Sequence, residues 1–292
     1  MSASSLLSGV SLRDMRADDL DAASGLSKAL GWPHRLEDWQ FMFALGDGMV
    51  ATGPDDVLIG TIMWWSYGTT DAAFGMIIVA DAWQGHGIGG RLMRSAKNAL
   101  PGRVLHLNAT AVGLPLYEKM GFLPCGIVEQ RQARATIQPV VPLPEGVRLR
   151  PAGLADLQTL IRMDSAACGL DRSTLMERLL TEGDCIMVDG GADDGVAPQG
   201  FAFCRKFGWG NAIGPVVAED SRSAMAMIAY WIGSFAGQFI RIDIPLSGGL
   251  SSWLDEAGLL KVDSVTTMST GVRPERTAAG PVTFALCSQA LG

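Results

Sequence analysis

The sequence predicts an α/β protein built from two copies of one unit. Three observations carry that reading. The chain has 292 residues, 48% hydrophobic and 18% charged, which is enough for two cores and too apolar for disorder. Short branched apolar runs alternate with stretches of helical period. And the chain repeats itself. "VSLRDMRADDL" (10–20) returns as "VRLRPAGLADL" (147–157), with Val10, Leu12, Arg13, Asp19 and Leu20 matched by Val147, Leu149, Arg150, Asp156 and Leu157. The same offset sets "LYEKMGF" (116–122) over "WLDEAGL" (253–259), and "IIVADAW" (77–83) lies near "PVVAEDS" (215–221) with one residue of slippage. Self-similarity over this length marks a duplicated unit. Between the copies, "QPVVPLPEG" (138–146) holds Pro139, Pro142 and Pro144. Proline fixes φ and removes a backbone donor, so this reads as an extended connector. The expected domains are therefore 1–137 and 147–292.

The first copy is readable element by element. A strand at 10–13 leads to helices around 17–30 and 36–45, then strands near 48–52, 57–67 and 73–79. "GPDD" (53–56) is a turn between the first two of these. A glycine-rich loop opens a helix at 88–99, followed by a strand at 104–108, a short helix at 113–120 and further strand from 125. Runs such as "FGMIIVA" and "VLHLN" have the branched, apolar character of buried strands.

Composition excludes several classes of protein. The formal net charge is −7, which argues against nucleic acid or an anionic membrane as the main partner. Cys125, Cys168, Cys185, Cys204 and Cys287 are scattered and form no Cys-x-x-Cys pair, so neither a zinc site nor a disulfide framework is expected, and a reducing cytoplasmic setting suits them. The first residues, "MSASSLLSGVSLRDMR", lack the apolar stretch of a signal peptide. "SAMAMIAYWIGSFAGQFI" (223–240) is uncharged, but Ser234, Gln238 and two glycines interrupt it, and a buried helix running into a buried strand is expected in place of a membrane span.

Chemistry concentrates in "DAWQGHGIGGRLM" (81–93). Gly85, Gly87 and Gly90 fit G-x-G-x-x-G, yet the dinucleotide context fails. Several strands precede the loop, "ADAWQ" separates it from Val79, and no acidic residue ends the next strand, where Asn108 stands. A Walker loop is excluded because no Gly-Lys-Ser/Thr follows. Gln84-Gly85-His86-Gly87-Ile88-Gly89 instead fits Gln/Arg-x-x-Gly-x-Gly/Ala. Small residues there let the backbone close on a pyrophosphate, and the helix start directs amides and a positive dipole end at it. Arg91, Arg94 and Lys97 follow on the helix, each either toward a further phosphate or on a solvated face.

Together with "LHLNATAVGLPLYEKMGF" about 30 residues on, "IIVADAWQGHGIGGRLM" resembles the GNAT superfamily of acyl-CoA N-acyltransferases. The resemblance covers most of residues 10–135. It implies two GNAT-like units, each a mixed, mostly antiparallel sheet flanked by helices. It implies that Gln84, Gly85, His86, Gly87, Ile88, Gly89 and Gly90 hold the pyrophosphate of acetyl-CoA, without a metal. Ile77, Ile78 and Val79 would hold the pantetheine arm and acyl carbonyl through their backbone, in a gap where the sheet splays. Tyr117 would protonate the departing thiolate. The family often has Asn where Thr110 stands, which puts that cofactor contact in doubt. The first two helices and their loop would build the acceptor pocket, here from Trp32, His34 and Asp38; core packing of Trp39, Phe41 and Phe43 is the structural alternative for the region. No general base stands out; Asp71, His34 or a relayed water are candidates.

The second copy has no glycine in "SRSAMAM" (221–227), and Leu254 replaces Tyr117. It reads as a degenerate unit that keeps the shape and loses the site. The expected activity is acetyl transfer from acetyl-CoA to a primary amine of a small-molecule acceptor, by direct attack. The rival is a non-catalytic CoA or acyl-CoA sensor or scaffold. The sequence is silent on the acceptor and on the oligomeric state.

Overall fold

The computed structural model describes residues 9–134, 138–143, 146–190, 198–271 and 280–292. The chain start at 1–8, and Pro144 in the connector, lie outside them. The chain folds into two compact units, Met1–Leu107 with Phe207–Trp209, and Asn108–Lys206 with Gly210–Gly292.

In the first unit β1 (Ser11–Asp14), β2 (Asp47–Thr52), β3 (Leu58–Tyr67) and β4 (Asp71–Val79) pair in order, each antiparallel to the last, and β5 (Val104–Ala109) joins β4 in parallel. Helices α1 (Leu20–Ala29), α2 (Leu36–Phe43) and α3 (Ile88–Ala99) supply the packing layers. Helix α3 is amphipathic. Ile88, Leu92, Met93 and Ala96 recur on one face and are buried, the spacing a helix needs to cover a sheet. Strand β3 reads "LIGTIMWWSY" and is buried along nearly its whole length, because it touches both α1 and α3. Trp39, Trp65 and Phe74 are fully enclosed in this core, and Phe41 is buried with them. The indole N–H groups of Trp39 and Trp65 donate to Ser27 Oγ and the Met42 carbonyl, as buried polar edges require.

The second unit contains α4 (Leu114–Lys119), β6 (Leu123–Arg134), β7 (Arg148–Pro151), α5 (Leu157–Cys168), α6 (Ser173–Glu182), β8 (Asp184–Asp189), β9 (Pro198–Phe207), β10 (Gly210–Ala218), α7 (Ser221–Ser234), β11 (Phe239–Pro245), α8 (Ser251–Glu256), β12 (Leu260–Ser269) and β13 (Val282–Ala285). Its strands run β12-β6-β11-β10-β9-β8-β7, with β13 beside β10. Strand β6 precedes the connector in sequence, yet it lies between β11 and β12, pairing Arg134 with Phe239 and Leu123 with Ser269. Buried charge marks this register. The Arg131 guanidinium donates to Glu129 at 2.8 Å, to Asp255 at 2.6 Å and to the Leu259 carbonyl at 3.1 Å. Sliding the strand by one residue would take that cation away from Asp255 and the Leu259 carbonyl, leaving only Glu129 on its own strand.

The repeat noticed in the sequence has a physical basis. Arg13 holds Asp19 through two bonds of 2.8 Å, and Asp19 also accepts the Arg16 N–H. Arg150 holds Asp156 at 2.7 and 2.9 Å, and Asp156 also accepts the Gly153 N–H. In each copy one bidentate pair joins the first strand to the first helical turn, and it lowers the carboxyl's pKa below its usual range. The run at 223–240 divides as expected into a helix, nearly all of α7, and the start of β11, joined by a short turn. No helix among the described residues is long and apolar enough to cross a membrane.

Candidate functional site

The site is assembled around the C-terminal half of β4. Strand β5 pairs with β4 only from Asp71 to Phe74, against Val104 to Leu107. From Gly75 onward, among the described residues, β4 keeps β3 as its sole neighbour. A register shift against Thr61 and Met63 marks a bulge, where Met76 has φ +51°, a conformation that costs a side-chain-bearing residue energy. The Thr61 hydroxyl donates to the Met76 carbonyl at 2.7 Å and holds the bulge. Beyond it Ile78 is buried, while Ile77 and Val79 are half-exposed. The result is a strand edge whose backbone groups are available to a ligand.

The glycine loop follows within the same unit. The Gln84 side chain donates to the Val79 carbonyl at 3.1 Å and to Asp81 at 2.9 Å, tying the loop to the strand end. His86 Nδ1 lies 2.8 Å from the Gln84 carbonyl. Gly85 and Gly87 have φ of +76° and +77°, and a Cβ at either would meet nothing within 4 Å. Backbone conformation, together with open space above it, therefore selects glycine here. Gly87 caps α3 without any side-chain hydrogen bond, and the first turn carries no acidic residue. The opening N–H groups of a helix have no partner within it, so this end presents donors and a positive dipole end to an anion. Gly90 and Ile88 are buried, and Gly89 is half-buried. Arg91 donates to the Val10 carbonyl at 3.3 Å, while Arg94 is exposed.

The predicted acceptor residues cluster, but Asp38 is committed to structure. Its carboxylate is 1% exposed and accepts from the Arg35 N–H, from both ends of the Arg35 guanidinium and from the Gly208 N–H at 2.9 Å. Burial pushes its pKa up, but those hydrogen bonds outweigh burial and hold the carboxyl below its usual range. His34 stands edge-on to Phe207, with centroids 5.2 Å apart, and Trp32 lies 5.8 Å from His34. Sequence reading missed Phe207–Trp209, a turn from the second half of the chain that packs with this unit; no local signal distinguishes it from any other hairpin turn. Asp71, a candidate base, sits against His106 Nε2 at 2.7 Å and accepts the Thr70 hydroxyl. It is buried, with its proton-accepting atoms engaged.

Tyr117 and Thr110 belong to the second unit. Tyr117 is buried, edge-on to Phe122 at 6.2 Å, and burial raises its pKa to about 12. The lack of a Cβ at Gly113 makes room for it: a methyl there would stand 2.8 Å from the ring. Among the described residues its hydroxyl makes no hydrogen bond. Thr110 is exposed, and its hydroxyl accepts the Gly113 N–H at 3.4 Å. Asn108 is consumed by the fold, donating to the Gln289 carbonyl and accepting the Thr267 hydroxyl, each at 2.8 Å. In the second copy, Asp171 accepts the Ser173 N–H at the start of α6, a local turn contact, with Arg172 in the cap position itself.

Two stretches match models of the acetyltransferase (GNAT) domain, residues 44–124 and 160–280. The chain is 29% identical over 223 residues to the uncharacterized N-acetyltransferase YitH of Bacillus subtilis (strain 168), covering 75% of this chain and 76% of that one. Its fold resembles a crystal structure of a provisionally assigned acetyltransferase from Pyrococcus horikoshii, with TM-score 0.78 and 20% identity, over 97% of this chain and 96% of that one. It also resembles a tandem GNAT protein from the clavulanic acid biosynthesis pathway, with TM-score 0.63 and 13% identity, over 91% and 100% of the two chains.

Proposed function

Since the chain belongs to the GNAT superfamily of acyltransferases and carries two of its domains, we propose that its first copy transfers acetyl from acetyl-CoA to a primary amine of a small-molecule acceptor. The observation that carries this is a conjunction within one unit. A helix start at Gly87 without a side-chain cap lies beyond a strand, β4, that among the described residues has no strand partner opposite β3 from Gly75 to Val79. The amides of the Gln84–Gly90 loop suit a pyrophosphate. The edge of β4 at Ile77, Ile78 and Val79, on the side away from β3, suits the amides of a pantetheine arm and the acyl carbonyl, although the Val79 carbonyl already accepts from Gln84.

The transfer is a direct attack. The amine nitrogen forms a bond to the thioester carbonyl carbon, the C–S bond breaks, the amine sheds a proton and the thiolate takes one. Tyr117 is the proposed donor. With its pKa raised by burial to about 12, it keeps its proton at any working pH and gives it up only as negative charge develops on sulfur. Solvent then restores the hydroxyl. That role, like a cofactor contact at Thr110, rests on the motif resemblance. Trp32 and His34 are proposed to face the acceptor, with Asp38 fixing their loop. We keep 1–137 and 147–292 as the repeat units, 138–146 as their connector, and the cytoplasm as the setting.

A second reading, a CoA-binding sensor without turnover, is favoured by one observation: the Asp71 carboxylate is already engaged by His106 and Thr70. Calorimetric titration of acetyl-CoA tests both readings. One site per chain is expected, lost in the Gly87→Glu, Gly89→Glu variant; no binding to the unaltered chain rejects both. Amine-dependent release of free CoA thiol then separates enzyme from sensor.

A further inference from the structure

The second unit contains a cavity of about 750 Å³ that the acyl-transfer reading does not use. It is walled on one side by β6 at Cys125–Val128 and on another by the end of α5 and the turn after it, from Ala166 to Leu170, with Leu246 and Val282 also in its lining. The volume falls in the range of pockets that take drug-sized ligands, about 300–1,000 Å³. Small residues make the room: Ala166, Ala167 and Gly169 line it, and a Cβ on Gly126 would meet only Thr267, at 3.6 Å.

Two properties define what fits. The first is hydrogen-bonding capacity along the wall. Strand β6 pairs with β12 from Leu123 to Gln132, but with β11 only from Val128 to Arg134. Its other edge, from Leu123 to Ile127, has no strand partner among the described residues, and all five residues are exposed. Successive backbone groups in a strand face alternate neighbours, so this edge offers N–H and C=O groups from alternate residues, with Pro124 able to supply only a C=O. The second is charge. Among the described residues, Arg172 is the one charged side chain on the wall. Asp164 holds its guanidinium at 2.6 and 2.9 Å, and the Gly292 carbonyl takes it at 2.6 Å. The remaining lining is apolar or neutral.

We propose that this cavity is a binding site for an uncharged, mostly apolar small molecule that presents an amide to the free edge of β6. An amide carries a donor and an acceptor in the spacing the edge offers. A carboxylate or ammonium would meet no counter-charge on the wall that is not already paired, and would lose solvation on entering. Strand β13 pairs with β10 in this unit, so the ligand reads the β6 edge and not the strand equivalent to β4. The proposal stands on the cavity alone and does not depend on the acyl-transfer reading.

The test uses the full chain and N-acetyl-valyl-leucine methylamide, an uncharged triamide, followed by amide NMR shifts. Saturable shifts are expected at Cys125–Val128 and Ala166–Leu170. The free acid N-acetyl-valyl-leucine should bind at least about tenfold more weakly, because its carboxylate gives up solvation and gains no counter-charge. Two variants fill the cavity, Ala167→Trp and, from the exposed rim, Ile127→Trp. Either one, with its unfolding midpoint preserved, should abolish the shifts. A blocked peptide and the non-peptide amide N-methyldecanamide distinguish a peptide source from a lipid-like one, and saturable binding of either at these residues supports the site. No saturable shift up to the probe's solubility limit, shifts elsewhere in the chain, equal binding of the free acid, or folded filled variants that still bind would each overturn it.

Discussion

Two strand–helix junctions occupy equivalent places in the two copies and have opposite fates. In the first, β4 loses its β5 neighbour after Phe74, and the following helix opens at Gly87 with no side-chain cap. In the second, β10 pairs with β11 only over Asn211–Ile213, and the edge beyond is taken by β13, with Val216 beside Ala285 and Ala218 beside Val282. The next helix, α7, is capped by the Asp220 carboxylate, which accepts the Ser223 N–H at 2.8 Å and the Ser223 hydroxyl at 3.0 Å. A chain segment lies where a ligand's arm would lie, and a carboxylate sits where an anion would sit. Even Gly214 belongs to the filled version, since a Cβ there would collide with the Leu286 carbonyl. If the proposed site is right, the contrast teaches how a duplicated fold loses one: its own groups satisfy the donors that the other copy leaves open.

The comparison can be broken in graded steps. The largest effect is expected from Gly87→Glu, Gly89→Glu, which puts carboxylates at the open helix start. Acetyl-CoA stoichiometry should fall from one per chain to none by calorimetry; retained binding would move the site elsewhere. Next, Tyr117→Phe should lower turnover about 10²–10⁴-fold, with acetyl-CoA affinity unchanged. A near-normal rate in a thiol-release assay refutes the acid role. Third, Phe284→Ala on β13 removes a buried ring from the core of the second unit and should cost about 3–5 kcal/mol in denaturant unfolding. It should create no second acetyl-CoA site, because Asp220 still caps α7. Asp220→Ala is gentler, about 1 kcal/mol for a lost cap, again with stoichiometry held at one. A second site in either variant would show that one filler alone silences the copy.

The smallest effect is a pH dependence. The Tyr117 pKa rises from 10.0 to about 12 on folding. The neutral form is thus favoured in the folded chain, and the stability this group contributes is fully present below pH 10 and declines from there toward pH 12. The pH–rate profile should accordingly show no descending limb from Tyr117 at any pH below about 10. A limb near neutrality that disappears in Tyr117→Phe would mean that its hydroxyl ionises far more easily than its burial allows.

Much of this was legible in the sequence because its causes are local. The positive φ of Gly85 and Gly87, the amphipathic stripe of α3 and the Arg13–Asp19 clamp with its copy at Arg150–Asp156 each leave a mark within a few residues. The acceptor region was legible only as composition. Asp38 reads as a candidate acceptor contact, and what the sequence does not show is that its carboxylate also takes the N–H of Gly208, 170 residues away. Nor does anything near Val282–Ala285 announce which strand it will join. The exchange of β6 was equally hidden, for strand pairing depends on partners that periodicity does not name.

That exchange has a consequence for how the protein is made. Strand β6 leaves the ribosome more than a hundred residues before β11 and β12, which flank it. At synthesis rates of roughly 5–20 residues per second, it waits on the order of ten seconds with both edges bare. Exposed strands of this kind invite pairing with other chains. Cutting the gene at the connector would leave that strand permanently waiting. Folding of that strand thus waits on residues that come late in the chain.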